Sequence, residues 1–272
     1  MADTQTAPKA KKQKFNYLHQ EYRLDEMTLP EFWKAFFLYP DVHIYICLAI
    51  LSAAAAFIFG ITLGEVAITA VTVAVVYPMA WYLLHRYVLH GNYLYRSKMT
   101  APIWKRIHFD HHRDPYDLTV LFGALYTTIP TIFLVVAPVG YLIGGLAGIA
   151  MAFCFGIVVT CFYEFNHCIQ HLNYEPKSNF VKKIKHHHLQ HHFFNENYNY
   201  GITSYWPDRL FKTFEEKPKN MKGGKSSTVF NLGYTYSEVE KYPWVARLTP
   251  DLCEKRNAKE GVSRKKPQRA TA

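Results

Sequence analysis

Cysteine is scarce in this chain. Five residues in 272, odd in number and with no Cys-x-x-Cys pair, exclude a disulfide scaffold. Acidic residues are few as well, 21 Asp and Glu against 31 Lys and Arg, which leaves a net charge of +10. Most telling is where charge of either sign is missing. None occurs from Ile44 to Gly64, none from Val66 to Leu84, and none through the 46 residues from Leu118 to Tyr163. A disordered chain is excluded too, because half the residues are apolar and 16% are aromatic.

The charge-free runs have the length of membrane spans. A hydrocarbon core of ~30 Å takes ~20 apolar residues in a helix. The first two runs hold one span each and the third holds two. The expected fold is an all-α integral membrane protein with transmembrane helices at roughly 42–62, 66–85, 118–138 and 143–163. The hinge between the last two falls at Pro138-Val139-Gly140 or Gly144-Gly145.

Basic residues give the orientation. The links around Glu65 and between spans three and four carry no Lys or Arg, whereas the island from His85 to Asp117 carries Arg86, Arg96, Lys98, Lys105, Arg106 and Arg113. By the positive-inside rule the island and both termini face the cytoplasm. A multi-pass protein of a bacterial inner membrane or the endoplasmic reticulum is expected. The positive charge then belongs beside anionic lipid, so nucleic acid is not an expected partner. No cleavable signal peptide is read in the polar, basic first 42 residues. Thr28-Leu29-Pro30-Glu31 has the form of a capping box opening a short interfacial helix with Phe32, Trp33, Phe36 and Phe37. Three parts follow: an N-terminal segment with this helix at 1–41, the spans with a cytoplasmic catalytic cap at 42–217, and a basic C-terminal tail at 218–272, disordered from 255.

Histidine is the residue in excess. Ten of the fourteen fall into four clusters: His85 and His90; His108, His111 and His112; His167 and His171; and His188, His191 and His192. All lie at or beyond the span ends that charge assigns to the cytoplasm. On an α-helix, residues i, i+3 and i+4 share an arc of about 100°. Each His-x-x-His-His cluster is therefore expected to point at one locus, and His167 with His171 forms an i, i+4 pair. His85 and His90 are ~140° apart on a regular helix. They converge only if the helix ends or opens between them, or serve different metals. His19 and His43 fit no cluster, and His186 and His187 lie off the face of the last one.

Ten convergent imidazoles exceed what acid–base chemistry uses and suit metal. A metal takes four to six ligands, so two metals are implied. A zinc hydrolase is unsupported because His-Glu-x-x-His is absent, and the pair of Glu-x-x-His helices of carboxylate-bridged di-iron proteins is absent too. A histidine-rich dimetal site at a membrane surface remains, and imidazole ligands suit iron. Glu164, Asn166 and Asp110 are near enough in sequence to accept from ring N–H groups.

The order His-x4-His, His-x2-His-His, His-x3-His, His-x2-His-His around four spans resembles the fatty acid hydroxylase/sterol desaturase superfamily, and within it the fatty acid 2-hydroxylases of sphingolipid acyl chains. Three stretches carry the likeness: His85-Arg86-Tyr87-Val88-Leu89-His90; His111-His112-Arg113-Asp114-Pro115-Tyr116-Asp117; and Tyr200-Gly201-Ile202-Thr203-Ser204 followed by Asp208 to Thr213. It covers roughly residues 66–215. The His-Pro-Gly-Gly haem motif of an N-terminal cytochrome b5 domain, frequent in this group, is missing, and 218–272 matches nothing in it.

The resemblance implies an O2-dependent oxidoreductase, a monooxygenase hydroxylating a lipid acyl chain at C-2 of a fatty acid or (dihydro)ceramide acyl group. The ten clustered histidines are then catalytic ligands of two iron ions, with O2 as cosubstrate and zinc able to occupy the site in isolated protein. Electrons come from a separate cytochrome b5- or ferredoxin-like donor drawn to the basic face. Rival readings are a sterol or carotenoid hydroxylase or desaturase of the same superfamily, a histidine-rich metal transporter, and a membrane cytochrome b. The last two want histidine inside the spans.

Overall fold

The computed structural model describes residues 22–221 and 241–250. His19, the basic N-terminal cluster and the stretch from 255 onward lie outside the described residues. Among those described there is no β-strand; Arg23 and Asp117 form an isolated bridge.

The first helix, α1, runs Leu29–Leu38. The Glu31 carboxylate accepts from the Thr28 N–H and hydroxyl, both at 2.8 Å, as the capping box requires. Its apolar side, Phe32 and Phe36, is buried with Leu24, Val42, Leu118, Phe122, Cys168 and Leu172. Trp33 and Phe37 point outward, about half exposed.

Among the described residues three helices are long and apolar enough to cross a membrane: α2 (Pro40–Ile58), α3 (Leu63–Leu83), and the last long apolar stretch, within which a 47-residue helix, α7, runs Leu125–His171. This 47-residue helix is not straight. Gly144 and Gly145 leave helical geometry, and Gly145 has φ +58°, which glycine adopts without steric cost. The two limbs fold back on each other, so that Gly156 lies against Ile132 and Val136, and Gly140 meets Gly148 backbone to backbone. The hinge is the second of the two expected places; Pro138 sits within a continuing helix. Tyr45, Val73, Tyr77, Ile132, Val136, Ala152 and Ile157 join α2, α3 and both limbs in one core. Large apolar side chains such as Ile50, Ile58 and Leu142 face outward at 63%, 81% and 85% exposure, a surface suited to lipid rather than water.

The third apolar stretch begins differently from expectation. Asp117 caps Thr119 N–H at 2.8 Å, so Leu118–Leu121 closes as its own turn, α6. The chain is extended at Phe122 and again at Ala124, and the long helix starts only at Leu125. The fourth stretch, conversely, stays helical past Tyr163 to His171. Lone Glu65 caps α3, accepting from Thr62 N–H at 2.8 Å, and its carboxylate lies beside Gly144. The α2–α3 turn and the limb hinge therefore share one end of the bundle, opposite the histidine-bearing ends.

Those ends carry shorter elements: α4 (Ala101–Trp104), α5 (Asp110–Arg113), α8 (Asn179–Phe193), α9 (Trp206–Leu210) and α10 (Pro243–Leu248). Lys185 of α8 donates to the Leu172 and Tyr174 carbonyls, both at 2.6 Å, which fastens α8 to the end of the second limb.

Close glycine packing makes the hairpin testable. A Cβ at Gly148 meets the Gly140 carbonyl, so Gly148→Leu is expected to destabilise the protein by ~1–3 kcal/mol. Gly64→Ala, whose Cβ finds nothing nearer than 4.0 Å, is expected to change little. Thermal unfolding in detergent distinguishes the two.

Candidate metal centre

All ten clustered histidines come together, in two groups of five. His85, His90, His108, His112 and His191 form one; His111, His167, His171, His188 and His192 form the other. Within each group one ring nitrogen per residue lies within 4.8 Å of all the others. The division departs from expectation. The two His-x-x-His-His clusters do not each aim at one locus: the i, i+4 pairs His108/His112 and His188/His192 share a group, and the i+3 residues, His111 and His191, cross to the other. The reason is angular. Residues i and i+4 diverge by ~40° on a helix and i+3 by ~60° the other way, so a helix lying between two sites serves both.

His85 and His90 do converge, and the helix opens to allow it. Leu84–Leu89 is π-helical, and His90 N–H bonds to the His85 carbonyl at 3.0 Å, an i+5 link that stacks the two residues one turn apart. A second π-helical segment, Lys105–Phe109, precedes α5 and carries His108.

Nitrogen separations test whether a metal fits. In the first group the Nε2 atoms of His85, His90 and His108 form a triangle with sides of 3.0, 3.0 and 3.2 Å, and His191 Nε2 is 3.1 Å from that of His90. In the second, His188 Nε2 is 3.1 Å from His167 and 2.9 Å from His171. A nitrogen directs one lone pair or one proton outward in the ring plane, so three mutually adjacent ones cannot all be satisfied by hydrogen bonds. They can be satisfied by one cation: at a metal–nitrogen distance of ~2.1 Å, ligands at right angles are ~3.0 Å apart. The buried Nε2 atoms of His111 and His192 have no protein partner and face the same space. The residues fit two adjoining metal ions, joined where the His112 and His192 rings stack at 4.1 Å.

The rings are kept neutral and oriented. Burial, followed by the repulsion of neighbouring imidazoles, holds His108, His112, His188 and His192 well below the ordinary histidine pKa. His85 Nδ1–H donates to the Tyr200 carbonyl at 2.6 Å and His191 Nδ1–H to the Tyr198 carbonyl at 2.7 Å, so each presents Nε2 to the centre. These backbone acceptors replace the side chains expected from sequence. Glu164 accepts from Gly123 N–H at 3.1 Å, Asn166 bonds the Phe162 carbonyl, and Asp110 pairs with Lys105 at 2.6 Å. None of the three meets an imidazole. His43 bonds the Phe37 carbonyl, His186 is on the surface, and buried His187 packs on Phe214, apart from both groups.

The Tyr198–Thr213 loop that supplies those carbonyls is held by Asp208. Its carboxylate accepts from Tyr200 N–H (2.9 Å), Gly201 N–H (2.8 Å) and the Thr213 hydroxyl (2.7 Å). Gln170 ties the same loop to the second limb through the Ile202 carbonyl at 2.6 Å. Asp208 lies in a stretch that sequence reading marks, yet its task is invisible there because it acts through main-chain atoms.

Beside the histidines is a cavity of about 260 Å³. Trp81, Leu84, Val88, Leu94, Ile103 and Ile107 are among its apolar lining; Thr127, Thr128, Thr131 and Glu164 add polar atoms. His108 of one group and His111 and His167 of the other reach into it.

Two outcomes follow. His90→Ala and His171→Ala are each expected to remove one of two bound metals, from different groups, read as metal per chain by elemental analysis. Asp208→Ala is expected to weaken metal retention at the His85 group ~10- to 100-fold, the usual effect of losing a ligand's hydrogen-bonding support, and to leave the other group loaded in a chelator titration.

Comparison with known proteins agrees with this geometry. The fatty acid hydroxylase family model matches residues 70–213. A ceramide very long chain fatty acid hydroxylase of Saccharomyces cerevisiae is 29% identical over 147 residues, covering 51% of this chain and 36% of the relative. A fatty acid 2-hydroxylase of Rattus norvegicus is 26% identical, covering 53% and 39%. A dihydroceramide fatty acyl 2-hydroxylase of Arabidopsis thaliana is 28% identical, covering 57% and 63%. The chain thus spans less than two thirds of the length of these relatives. Among solved structures, full-length Scs7p, with only its hydroxylase domain visible, shares the fold at a TM-score of 0.56 and 22% identity, over 71% of this chain and 69% of that one. With its motif histidines gathered in two groups and more than half its length matched, the chain belongs to the fatty acid hydroxylase family.

Proposed function

We propose that the protein is a membrane-bound di-iron monooxygenase that hydroxylates a lipid acyl chain, at C-2 of a fatty acid or of a (dihydro)ceramide acyl group. The observation that carries this reading is the apolar cavity ending on both groups of histidines. A hydrocarbon chain suits its walls, and a carbon near a polar headgroup can be held at the imidazoles.

The ten histidines would hold two iron ions, five to each. Bound iron supplies the activation of O2 by which one oxygen atom enters a C–H bond. The chain's own contributions are positional. Trp81, Leu84 and Ile107 exclude water and lay the acyl chain along the cavity. Tyr198 and Tyr200 hold the His191 and His85 rings in the tautomer that leaves Nε2 free of a proton. The threonine hydroxyls and Glu164 give the cavity one polar side, where an amide or carboxyl headgroup can be oriented.

The same reading has four membrane crossings, each limb of the 47-residue helix counting as one, with the histidine cap and both termini in the cytoplasm. Supporting this are the absence of Lys and Arg from the two turns at the far end and the basic island at the histidine end. Two electrons per turnover would come from a separate cytochrome b5- or ferredoxin-like donor. A basic face attracts an acidic one.

Lipid analysis of cells with and without the gene tests the reading. Loss of 2-hydroxy acyl chains is the expected result, and unchanged acyl chains with altered sterols or carotenoids would sink it. His108→Ala, His111→Ala and His192→Ala are each expected to abolish hydroxylation while membrane insertion persists.

A further inference from the structure

A separate small core sits beside the metal centre and joins a segment outside the family match to residues inside it. Residues Tyr242 to Leu248, beyond the family match at 70–213, pack on Tyr95, Ala101, Trp104 and Phe109. Val245 is fully buried. Trp244 Nε1–H donates to the Tyr95 carbonyl at 2.9 Å, and Lys98 Nζ lies over the Trp244 ring at 5.6 Å. An apolar residue with no exposure, plus a directed indole hydrogen bond, marks a docked segment rather than a loosely resting one.

What it docks against matters. Trp104 and Phe109 are five residues apart, which on an α-helix sets them ~140° apart. Trp104, the last residue of α4, and Phe109, the last of the π-helical segment Lys105–Phe109, stack instead, centroids 4.4 Å apart, in the core beneath α10. The other side of the same segment, Ile103, Ile107 and His108, lines the cavity, with Leu94 beside it. One short segment therefore has the C-terminal dock behind it and the reaction space in front. A π turn is uncommon and its register depends on tertiary contacts.

We infer that Trp244 and Val245 are positioning residues: they clasp the Tyr95–Phe109 segment from behind and so fix His108 and the cavity wall made by Leu94, Ile103 and Ile107. The clasp itself stands independently of the hydroxylase reading, and its consequence for turnover rests on that reading.

Hydrogen exchange of the full-length, iron-reconstituted protein in nanodiscs tests the clasp, comparing Val245→Asp, Val245→Ile and Trp244→Ala with the parent. Val245→Asp buries an unpaired charge. It is expected to raise exchange at 94–109 at least ten-fold, to leave 63–83 unchanged, and to lower iron per chain. Val245→Ile is expected to match the parent. Should Val245→Asp fail to insert, Trp244→Ala decides alone, with an expected rise of at least three-fold confined to 94–109 and a raised KM at a less altered kcat. Unchanged exchange at 94–109, or an equal rise over the whole bundle, would overturn the clasp. Because exchange is read without turnover, its failure is distinct from an unaltered lipid profile, which would overturn the hydroxylase reading instead.

Discussion

Ten imidazole nitrogens facing two points, all but one of the rings buried, are the constraint on which the rest of the structure depends. A buried ring with a nitrogen left unsatisfied is costly, and a cluster of them is worse, since each also repels protonation of its neighbours. Such an arrangement persists only where a cation supplies what hydrogen bonds cannot and where the backbone allows no escape. The surrounding elements serve the second need. Cys168 and Leu172, next in sequence to His167 and His171 at the end of the second limb, are locked into the core made by α1 and α6. Lys185 stitches α8 to the limb's end, and Asp208 fixes the loop whose carbonyls turn His85 and His191.

Sharing of helices between the groups has a mechanical consequence. Since α5 gives His111 to one group and His112 to the other, and α8 gives His191 to one and His188 and His192 to the other, neither group can shift without dragging its neighbour. Two metals held this way would keep their spacing through the backbone of the shared helices, with no carboxylate among the described residues within either group. Separate pockets, each served by its own cluster as the local spacing suggests, would lack that coupling.

Much of this arrangement is legible in the sequence. Charge-free runs located the apolar helices, and Gly144-Gly145 was one of two hinge candidates because glycine alone tolerates the required φ. The histidines announced themselves by spacing. What spacing could not assign was the partition of His111 and His191, because a residue's angle on its own helix says nothing about how many sites flank that helix. The convergence of His85 and His90 needed a π register, which arises from tertiary packing and leaves no periodic mark. The long third helix starts at Leu125 rather than at 118 because the backbone is extended at Phe122 and Ala124, a break after α6 that hydropathy does not register. The side chains nominated to hold the rings lost to backbone carbonyls, which every residue possesses and no sequence distinguishes.

The depth of the centre follows from the same packing. Among the described residues the lone acid at the far end, Glu65, is consumed in capping α3, and Gly140 packs directly against Gly148, which closes the limbs on each other there. At the opposite end the spans splay enough to hold a cavity whose walls continue the apolar surface of α3, in Trp81, Leu84 and Val88, and whose end is histidine. A hydrocarbon chain can pass along such a wall without leaving apolar surroundings, while a headgroup meets Thr127, Thr128 and Glu164 only at the histidine-bearing end. On the hydroxylase reading proposed above, the carbon presented to the imidazoles would be set by the distance from headgroup to metal rather than by the length of the tail. That would favour oxidation close to a carbonyl over oxidation deep in the chain.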